Sequence, residues 1–461
     1  MKIKLYDSLS KKKKTLPSRD ISFYSCGPTV YDRAHIGNFR TYILTDVLIK
    51  FLKNSGRRVN WAMNITDVDE KTITATRKHY GAEAGTRDLR KLTGHFTGLF
   101  KDDAAVLNID LPNRLIPATV RMGDIVKNIK LLISKGYAYH YGDSVYFDIK
   151  RYHSEFKDYG KLAGRGFLSG RKEKARVDLD EYDKRQANDF VLWRGYDKKR
   201  DGHIFWDDPI LGRGRPGWHI ECSSINLSEF GPSVDIHSGG IEHLFPHHSN
   251  EIAQSQAITG KKPFAGLWLH FEHLLVEGRK MAKSLKNFVT LNDLTKKGFK
   301  PLDLRFLYLS ADYKTKQNFT WKALMSAHEG RRRLLDAVSR AKSGKDSSKI
   351  RREFLSILSD DFNLPKALSL FFQEMENFSS QDFNWFNQIL GLFKASEITE
   401  MEIVKQRFEQ MMRRQIKERE TAREEGNYKT ADKLRAQINR RLKKEGWQLA
   451  DTPEGPELIA L

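Results

Sequence analysis

Residues 21 to 38 read Ile21-Ser22-Phe23-Tyr24-Ser25-Cys26-Gly27-Pro28-Thr29-Val30-Tyr31-Asp32-Arg33-Ala34-His35-Ile36-Gly37-Asn38. Ile21 to Ser25 has the apolar character of a short strand, and the Cys-Gly-Pro turn ends it. A helix follows the His35-Ile36-Gly37-Asn38 loop. Ile43, Val47, Leu48 and Phe51 recur at helical spacing, and Ser55-Gly56 stops it. A second strand-like run, Val59 to Ile65, ends in Thr66-Asp67-Val68-Asp69. Strand, loop, helix, strand is the grammar of a parallel α/β sheet, which binds ligands at the carboxyl ends of its strands.

The pattern changes further along the chain. From about Asp110 to Arg213 it mixes helices with short strands, such as Ala138-Tyr139 and Val145-Tyr146-Phe147, and carries charge clusters through Arg171 to Arg185. This stretch reads as an insertion that interrupts the sheet, with Gly212 to Pro216 as a turn-rich re-entry. Trp218 to Leu227 then reads as a helix, and Val234 to His237 as a strand ending in Ser238-Gly239-Gly240. A helix opened by Pro246 spans His247 to Ile258. Trp268 to Val276 alternates like one more strand, and the loop Gly278 to Ser284 follows. Beyond Leu291 the periodicity is helical. Met412, Ile416, Ala431, Leu434, Ile438 and Leu442 mark apolar faces. Arg413, Arg414, Lys417, Arg419, Arg440, Arg441, Lys443 and Lys444 crowd the polar ones. Lys11 to Lys14 is expected as a turn between strands.

Size and charge narrow the class. The 461 residues suffice for several domains with ample cores. No apolar stretch reaches the roughly 18 residues of a membrane span. The opening Met1-Lys2-Ile3-Lys4-Leu5-Tyr6 has no apolar h-region, so no secretory signal is expected. Two cysteines in the whole chain suit a reducing, cytoplasmic compartment. The 80 Lys and Arg outnumber the 59 Asp and Glu, giving a net charge of +21. For a large basic chain, nucleic acid is the leading partner, against the blander alternative of a solvated basic surface.

Each cysteine stands in a site-like segment. Cys26 ends the first strand, and Cys222 lies in Gly217-Trp218-His219-Ile220-Glu221-Cys222. Downstream stands Pro246-His247-His248-Ser249-Asn250-Glu251. Two thiols, a histidine and a carboxylate make a complete tetrahedral zinc shell. Two buried core cysteines are the plainer alternative. His247 and Glu251 are i, i+4 and share a helix face. His248, at i, i+3, is an alternative that spacing leaves open.

Two further motifs bear on phosphate. His35-Ile36-Gly37-Asn38 precedes a helix, where exposed N–H groups and partial positive charge favour anions. Lys280-Met281-Ala282-Lys283-Ser284 places two lysines in a loop, suited to charge on a transferring phosphoryl group or pyrophosphate. Alone, either is weak. Together, in this order, they resemble the HIGH and KMSKS signatures of class I aminoacyl-tRNA synthetases. Phe23 to Asp32, Asn64 to Lys71, Arg215 to Ser223, Phe245 to His248 and Asn250 to Gln254 narrow the resemblance to the cysteinyl-tRNA synthetase family, over nearly the whole chain.

The resemblance implies a Rossmann-type parallel-sheet catalytic domain (1–109 and 214–290) split by a connective insertion (110–213). A junction that contacts the tRNA stem follows (291–330), then an all-α bundle that recognises the anticodon (331–461). It implies activation of L-cysteine by ATP and its transfer to tRNA(Cys). Cys26, Cys222, His247 and Glu251 would bind one Zn2+, and Mg2+ would accompany ATP. His35 and Asn38 would meet the phosphates and Gly37 would lie under the adenine. Lys280 and Lys283 would steady the β- and γ-phosphates. Thr66, Trp218 and His237 would lie by the amino acid. The protein is expected to act as a monomer. Ala282 departs from the family serine, and Ser238 and Glu242-His243 depart near the amino acid. Trp447 and Tyr428 are read as packed aromatics before stacking residues. Competing readings are a cysteine ligase that acylates an amino sugar and a non-catalytic RNA-binding relative.

Overall fold

The computed structural model describes residues 1–17, 19–164, 189–281, 285, 287–341, 347–443, 446–452 and 455–460. The chain forms two compact units. One comprises Met1–Asp293, Asp312–Asn318 and Leu358–Asn363; the other comprises Leu294–Ala311, Phe319–Ile357 and Leu364–Leu461.

The first unit opens with a hairpin of β1 (Lys4–Asp7) and β2 (Lys12–Thr15). The basic run is thus mostly strand, a correction to the expected turn. Only Lys11 is left-handed, at φ 58°, while Lys12 to Lys14 pair with Asp7, Tyr6 and Leu5. The lysine ends find partners: Lys14 Nζ lies 2.7 Å from Asp7 Oδ2 and Lys13 Nζ lies 2.6 Å from Asp360 Oδ1. β3 (Asp20–Ser25), α1 (Ile36–Asn54) and β4 (Arg58–Ile65) make the expected strand–helix–strand unit. α2 (Glu70–Tyr80) and α3 (Thr86–Val106) cross over to β5 (Arg114–Pro117), and α4 (Met122–Ser134) follows. The insertion contributes β6 (Ala138–Tyr141), β7 (Ser144–Phe147), α5 (Ile149–Phe156), β8 (Phe190–Gly195), α6 (Lys198–Asp201), β9 (Trp206–Asp208) and β10 (Gly212–Pro216). The chain then returns through α7 (Trp218–Phe230), β11 (Val234–Gly240), α8 (Ser249–Thr259) and β12 (Ala265–Phe271). It closes with the ribbon of β13 (Leu274–Val276) and β14 (Arg279–Lys280).

Five strands form a wholly parallel sheet in the order β12-β11-β3-β4-β5. Such strands are covered on both faces and read as apolar runs. Phe23, Tyr24, Ala62, Met63, Ile65, Leu267 and Leu269 are all buried. The order reverses between β3 and β11, which opens a crevice beyond their carboxyl ends. There Cys26 N donates to Ser238 O at 3.1 Å. Gly27 makes this junction possible. Its N–H donates to Asn64 Oδ1 at 2.8 Å, and a Cβ on it would sit 1.7 Å from the Asn64 carbonyl oxygen.

Three sequence readings shift. β5 lies beyond residue 110, yet Ala62 to Ile65 pair with it in the central sheet. Four residues ending in proline are too few to show a period. The insertion's own sheet, in the order β6-β7-β8-β10-β9, runs on to Pro216. Trp268 to Val276 breaks at Glu272-His273 into β12 and β13. Buried Arg40 donates there to the carbonyls of Glu272, Asp312 and Thr315, drawing the chain off the sheet. The charge cluster from Arg171 to Arg185 lies outside the described residues.

Downstream come α9 (Leu291–Lys296), α10 (Pro301–Leu309), β15 (Gln317–Phe319), α11 (Trp321–Arg340), α12 (Ser348–Ser359), α13 (Leu364–Glu374), α14 (Ser380–Leu390), α15 (Ala395–Glu424) and α16 (Tyr428–Lys443). The helical expectation holds here, with β15 and a terminal hairpin as additions. β16 (Trp447–Thr452) and β17 (Gly455–Ala460) form a terminal antiparallel hairpin. Trp447 is buried under the Arg332 guanidinium, 5.0 Å from its ring centre, whereas Tyr428 is exposed. Arg413, Arg414, Lys417, Arg440 and Arg441 are exposed as expected. Arg419 is not: it is buried and holds Asp451 Oδ1 at 2.5 Å. Lys444 lies outside the described residues. No described helix is long and apolar enough to cross a membrane.

Candidate metal centre and nucleotide cavity

Four segments converge on the crevice. The end of β3 supplies Cys26 and α7 supplies Cys222. The wide turn Leu244–His248 supplies His247, and the first turn of α8 supplies Glu251. The helix read from His247 thus begins at Ser249, because Phe245 leaves helical geometry just upstream. One donor atom from each residue lies within 4.8 Å of the others, and all four side chains are buried. The cysteines are free thiols.

His247 is held on three sides. Its Nε2 lies 3.0 Å from Glu251 Oε1, its Nδ1 lies 3.0 Å from His219 Nδ1, and Trp218 stacks on it with ring centres 4.2 Å apart. A second set, Cys26, His237, His248 and Glu251, meets the same 4.8 Å limit. Its histidines, like His247, already have partners at their ring nitrogens. His237 Nε2 lies 2.9 Å from Glu251 Oε2. His248 Nε2 lies 3.3 Å from Cys26 Sγ while its Nδ1 lies 2.8 Å from His270 Nε2. The first set has both thiols, the softer donors. Glu251 Oε1 is buried with no well-aligned hydrogen bond. An under-satisfied buried carboxylate oxygen beside two thiols is what a cation would complete.

Charge in the cluster is interdependent. Burial pushes the Cys26 thiol well up, reinforced by Cys222. Burial would raise Cys222 too, but its contacts with Cys26 and His247 bring it down to about 6. Burial likewise opposes ionisation of Glu251, yet His237 and His247 hold it down to about 2. Burial disfavours His247 as a cation, but Glu251 and Cys222 raise it to about 10. Thiolate and carboxylate are the forms that metals take.

The second feature is the amino end of α1. Asn38 N donates to His35 Nδ1 at 3.2 Å, and His35 N donates to Asn38 Oδ1 at 3.1 Å, a reciprocal capping box. No acidic residue stands in the first turn of α1 to cancel its positive end. A Cβ on Gly37 would crowd the His35 ring at 3.1 Å and Met281 at 3.4 Å. Lys280 and Met281 share a cavity of about 180 Å³ with His35, Gly37 and Asn38. An adjoining cavity of about 260 Å³ runs from His35 and Asn38 to Cys26, and Glu242 lines both. Cys26 and the His35 motif therefore open onto connected space. Lys283 and Ala282 lie outside the described residues.

The remaining candidates sit around this space. Thr66 is buried; its backbone bonds to Pro28 and Val30, and its Oγ1 accepts from Asn64 at 3.1 Å. It thereby fixes the loop that walls the cavity. His237 stands behind Glu251, stacked on Trp268 with centres 4.5 Å apart. Sequence reasoning held His248 open as an alternative ligand and passed over His219 and His270. A signal existed for His219, which is one helical turn before Cys222. None existed for His270, which only the sheet brings near.

The family model for the class I (C) tRNA synthetase catalytic domain matches residues 12–329. The chain belongs to this family. It is 40% identical over 486 residues to the cysteine–tRNA ligase of Chlamydia abortus, covering 98% of this chain and 97% of that one. The cysteine–tRNA ligase of Protochlamydia amoebophila is 38% identical over 99% of this chain and 97% of its own. Among solved structures, Mycobacterium tuberculosis methionyl-tRNA synthetase bound by methionyl-adenylate superposes with a TM-score of 0.55 at 12% identity, over 80% of this chain and 84% of that one. An Agrobacterium radiobacter LeuRS–tRNA–LeuAMS complex gives 0.56 at 11%, over 84% and 85%. At such identities the likeness is one of fold. The switch-point crevice of this synthetase is thus the part of a shared α/β scaffold to which function is fitted.

Proposed function

We propose that the chain is a cysteine–tRNA ligase. It joins L-cysteine to ATP as cysteinyl adenylate, releasing pyrophosphate, and then passes the cysteine to a terminal ribose hydroxyl of tRNA(Cys). The observation that carries this reading is the meeting of Cys26, Cys222, His247 and Glu251 beside a cavity that Cys26 shares with His35.

Class I activation is mostly positioning and charge stabilisation. Because His35 Nδ1 accepts from the backbone, the neutral ring carries its proton on Nε2, a donor for phosphate oxygen. Asn38 orients that ring and adds its own donors. Gly37 keeps the helix end low enough for a planar base. Lys280 and Lys283 meet the β- and γ-phosphates as charge builds on them, with Mg2+ accompanying the nucleotide. Trp218 and Thr66 bound the amino acid space, and His237 steadies Glu251.

Cysteine and serine differ by one atom, so pocket shape separates them poorly. A zinc ion held by Cys26, Cys222, His247 and Glu251 would supply a soft Lewis acid that prefers thiolate to hydroxyl. The exposed arginines and lysines of α15 and α16 would hold tRNA phosphates around the anticodon, and residues 291–330 would face the stem. The working form is taken to be a cytoplasmic monomer.

The test combines metal content with two activities of the purified protein. One zinc per chain, cysteine-dependent ATP–pyrophosphate exchange and charging of tRNA(Cys) are expected. Exchange without charging points to an amino-sugar ligase. Neither activity points to an RNA-binding relative.

A further inference from the structure

α2 and α3 enclose a cavity that neither the metal cluster nor the nucleotide uses. It measures about 570 Å³. α2 offers Lys71, Ala75 and Lys78, spaced i, i+4, i+7 along one face, and α3 offers Leu92 and Phe96 one turn apart. Tyr31 closes one side. Asp32, Glu70, Thr74 and His79 complete a lining that mixes apolar, aromatic and charged side chains.

We propose that this groove receives the single-stranded 3′ end of the tRNA. Three observations lead there. The first is continuity: Tyr31, Lys71 and Phe96 line both the groove and the cavity that reaches Cys26 and His35. A strand lying in the groove delivers its terminal ribose toward the adenylate. The second is charge. Lys71 and Lys78 are exposed and have no ion-pair partner among the described residues. The two carboxylates of the lining are already engaged: Glu70 lies 3.5 Å from Arg194 and 3.8 Å from Arg215, and Asp32 Oδ1 accepts from Arg33 N at 2.8 Å. Seven helical residues set the Lys71 and Lys78 backbones about 10 Å apart along the axis, which suits an extended phosphate backbone better than one isolated phosphate. The third is stacking: unpaired bases of any identity are held on aromatic faces, and Tyr31 and Phe96 supply two.

The inference rests on the tRNA-charging reading, so its test must separate the two. Full-length protein is titrated with tRNA(Cys) carrying 2-aminopurine as its 3′-terminal base, and charging and cysteine-dependent exchange are measured alongside. Lys78→Ala is expected to raise KM for tRNA and to flatten the plot of log affinity against log salt by about 0.7, one phosphate contact to a single strand. Exchange should stay at the wild-type rate. Wild-type protein should quench the 2-aminopurine, and Phe96→Leu should relieve the quenching. Wild-type salt dependence in Lys78→Ala, or equal quenching by wild type and Phe96→Leu, overturns the groove assignment while wild-type charging still supports the ligase. Parallel loss of exchange and charging in Lys78→Ala also overturns it, since the groove would then serve adenylation. A wild-type protein that charges no tRNA overturns the reading beneath it.

Discussion

His219 Nδ1 lies 3.0 Å from His247 Nδ1, joining two buried rings from α7 and the turn before α8. The contact turns His247 Nε2 toward Glu251 Oε1. Partners of this kind fix the orientation of a metal-ligating imidazole. His219→Leu should weaken zinc binding about 10- to 100-fold, read by competition with a chelator. Unchanged affinity would show that packing by Trp218 alone holds the ring.

Cys222→Ser replaces a soft donor with a poor one. Zinc content should fall, with a larger affinity loss than the roughly 10- to 100-fold of an orienting residue. Cysteine-dependent exchange should fall with it, and the margin over serine should narrow. A variant that retains full metal and full cysteine preference would remove Cys222 from the shell.

Lys280 borders the His35 cavity from β14. Lys280→Ala should slow exchange by about 10²- to 10³-fold, the usual cost of losing one preorganised charge-stabilising group. KM for cysteine should barely move, because the thiol cluster lies elsewhere in the crevice. Lys283→Ala is expected to match it, and Ala282→Ser to change little. An effect of Lys280→Ala confined to cysteine KM would contradict this role.

Gly27→Ala tests the fold rather than the chemistry. The added methyl would meet the Asn64 carbonyl oxygen, which is backbone and cannot rotate away. Overpacking of this type costs typically about 1–3 kcal/mol. A lowered urea midpoint with an unchanged slope is expected. Wild-type stability would mean that β3 and β4 separate easily at their ends.

In the helical unit, Asp382 accepts hydrogen bonds from Ser347, Ser379 and Arg351. Burial alone would raise its pKa, but these donors bring it down to about 2. The unfolded value is near 3.9. The folded value is the lower one, so the carboxylate's contribution is full above about pH 4 and is lost as pH falls toward 2. Asp382→Asn should therefore destabilise at pH 7 and approach wild type near pH 2, as followed by circular dichroism. A penalty independent of pH would exclude ionisation as its source.

The parts legible beforehand were those written in local periods. β3, α1 and β4 show their spacing within a few residues, and His35 with Asn38 forms a capping box that needs no distant partner. Less legible were elements whose fate depends on remote chain. β5 carries no period of its own and is a strand because β4 lies beside it. The stretch from Trp268 to Val276 alternates throughout, yet Arg40 splits it. Arg419 looks like its basic neighbours until Asp451 folds back onto it.

The amino-acid sequence by itself determined the α/β class and the family, because helical spacing and contiguous motifs are local properties; it left His247 and His248 as alternatives beside Glu251. The tertiary structure alone decided which atoms meet. It brought Cys26 to Cys222, drew His248 and His237 into hydrogen bonds, and ran the α2–α3 groove into the thiol-lined space. The physical reason is that the parallel sheet reverses its strand order between β3 and β11, and proximity across that crevice depends on topology, to which no local window of sequence has access.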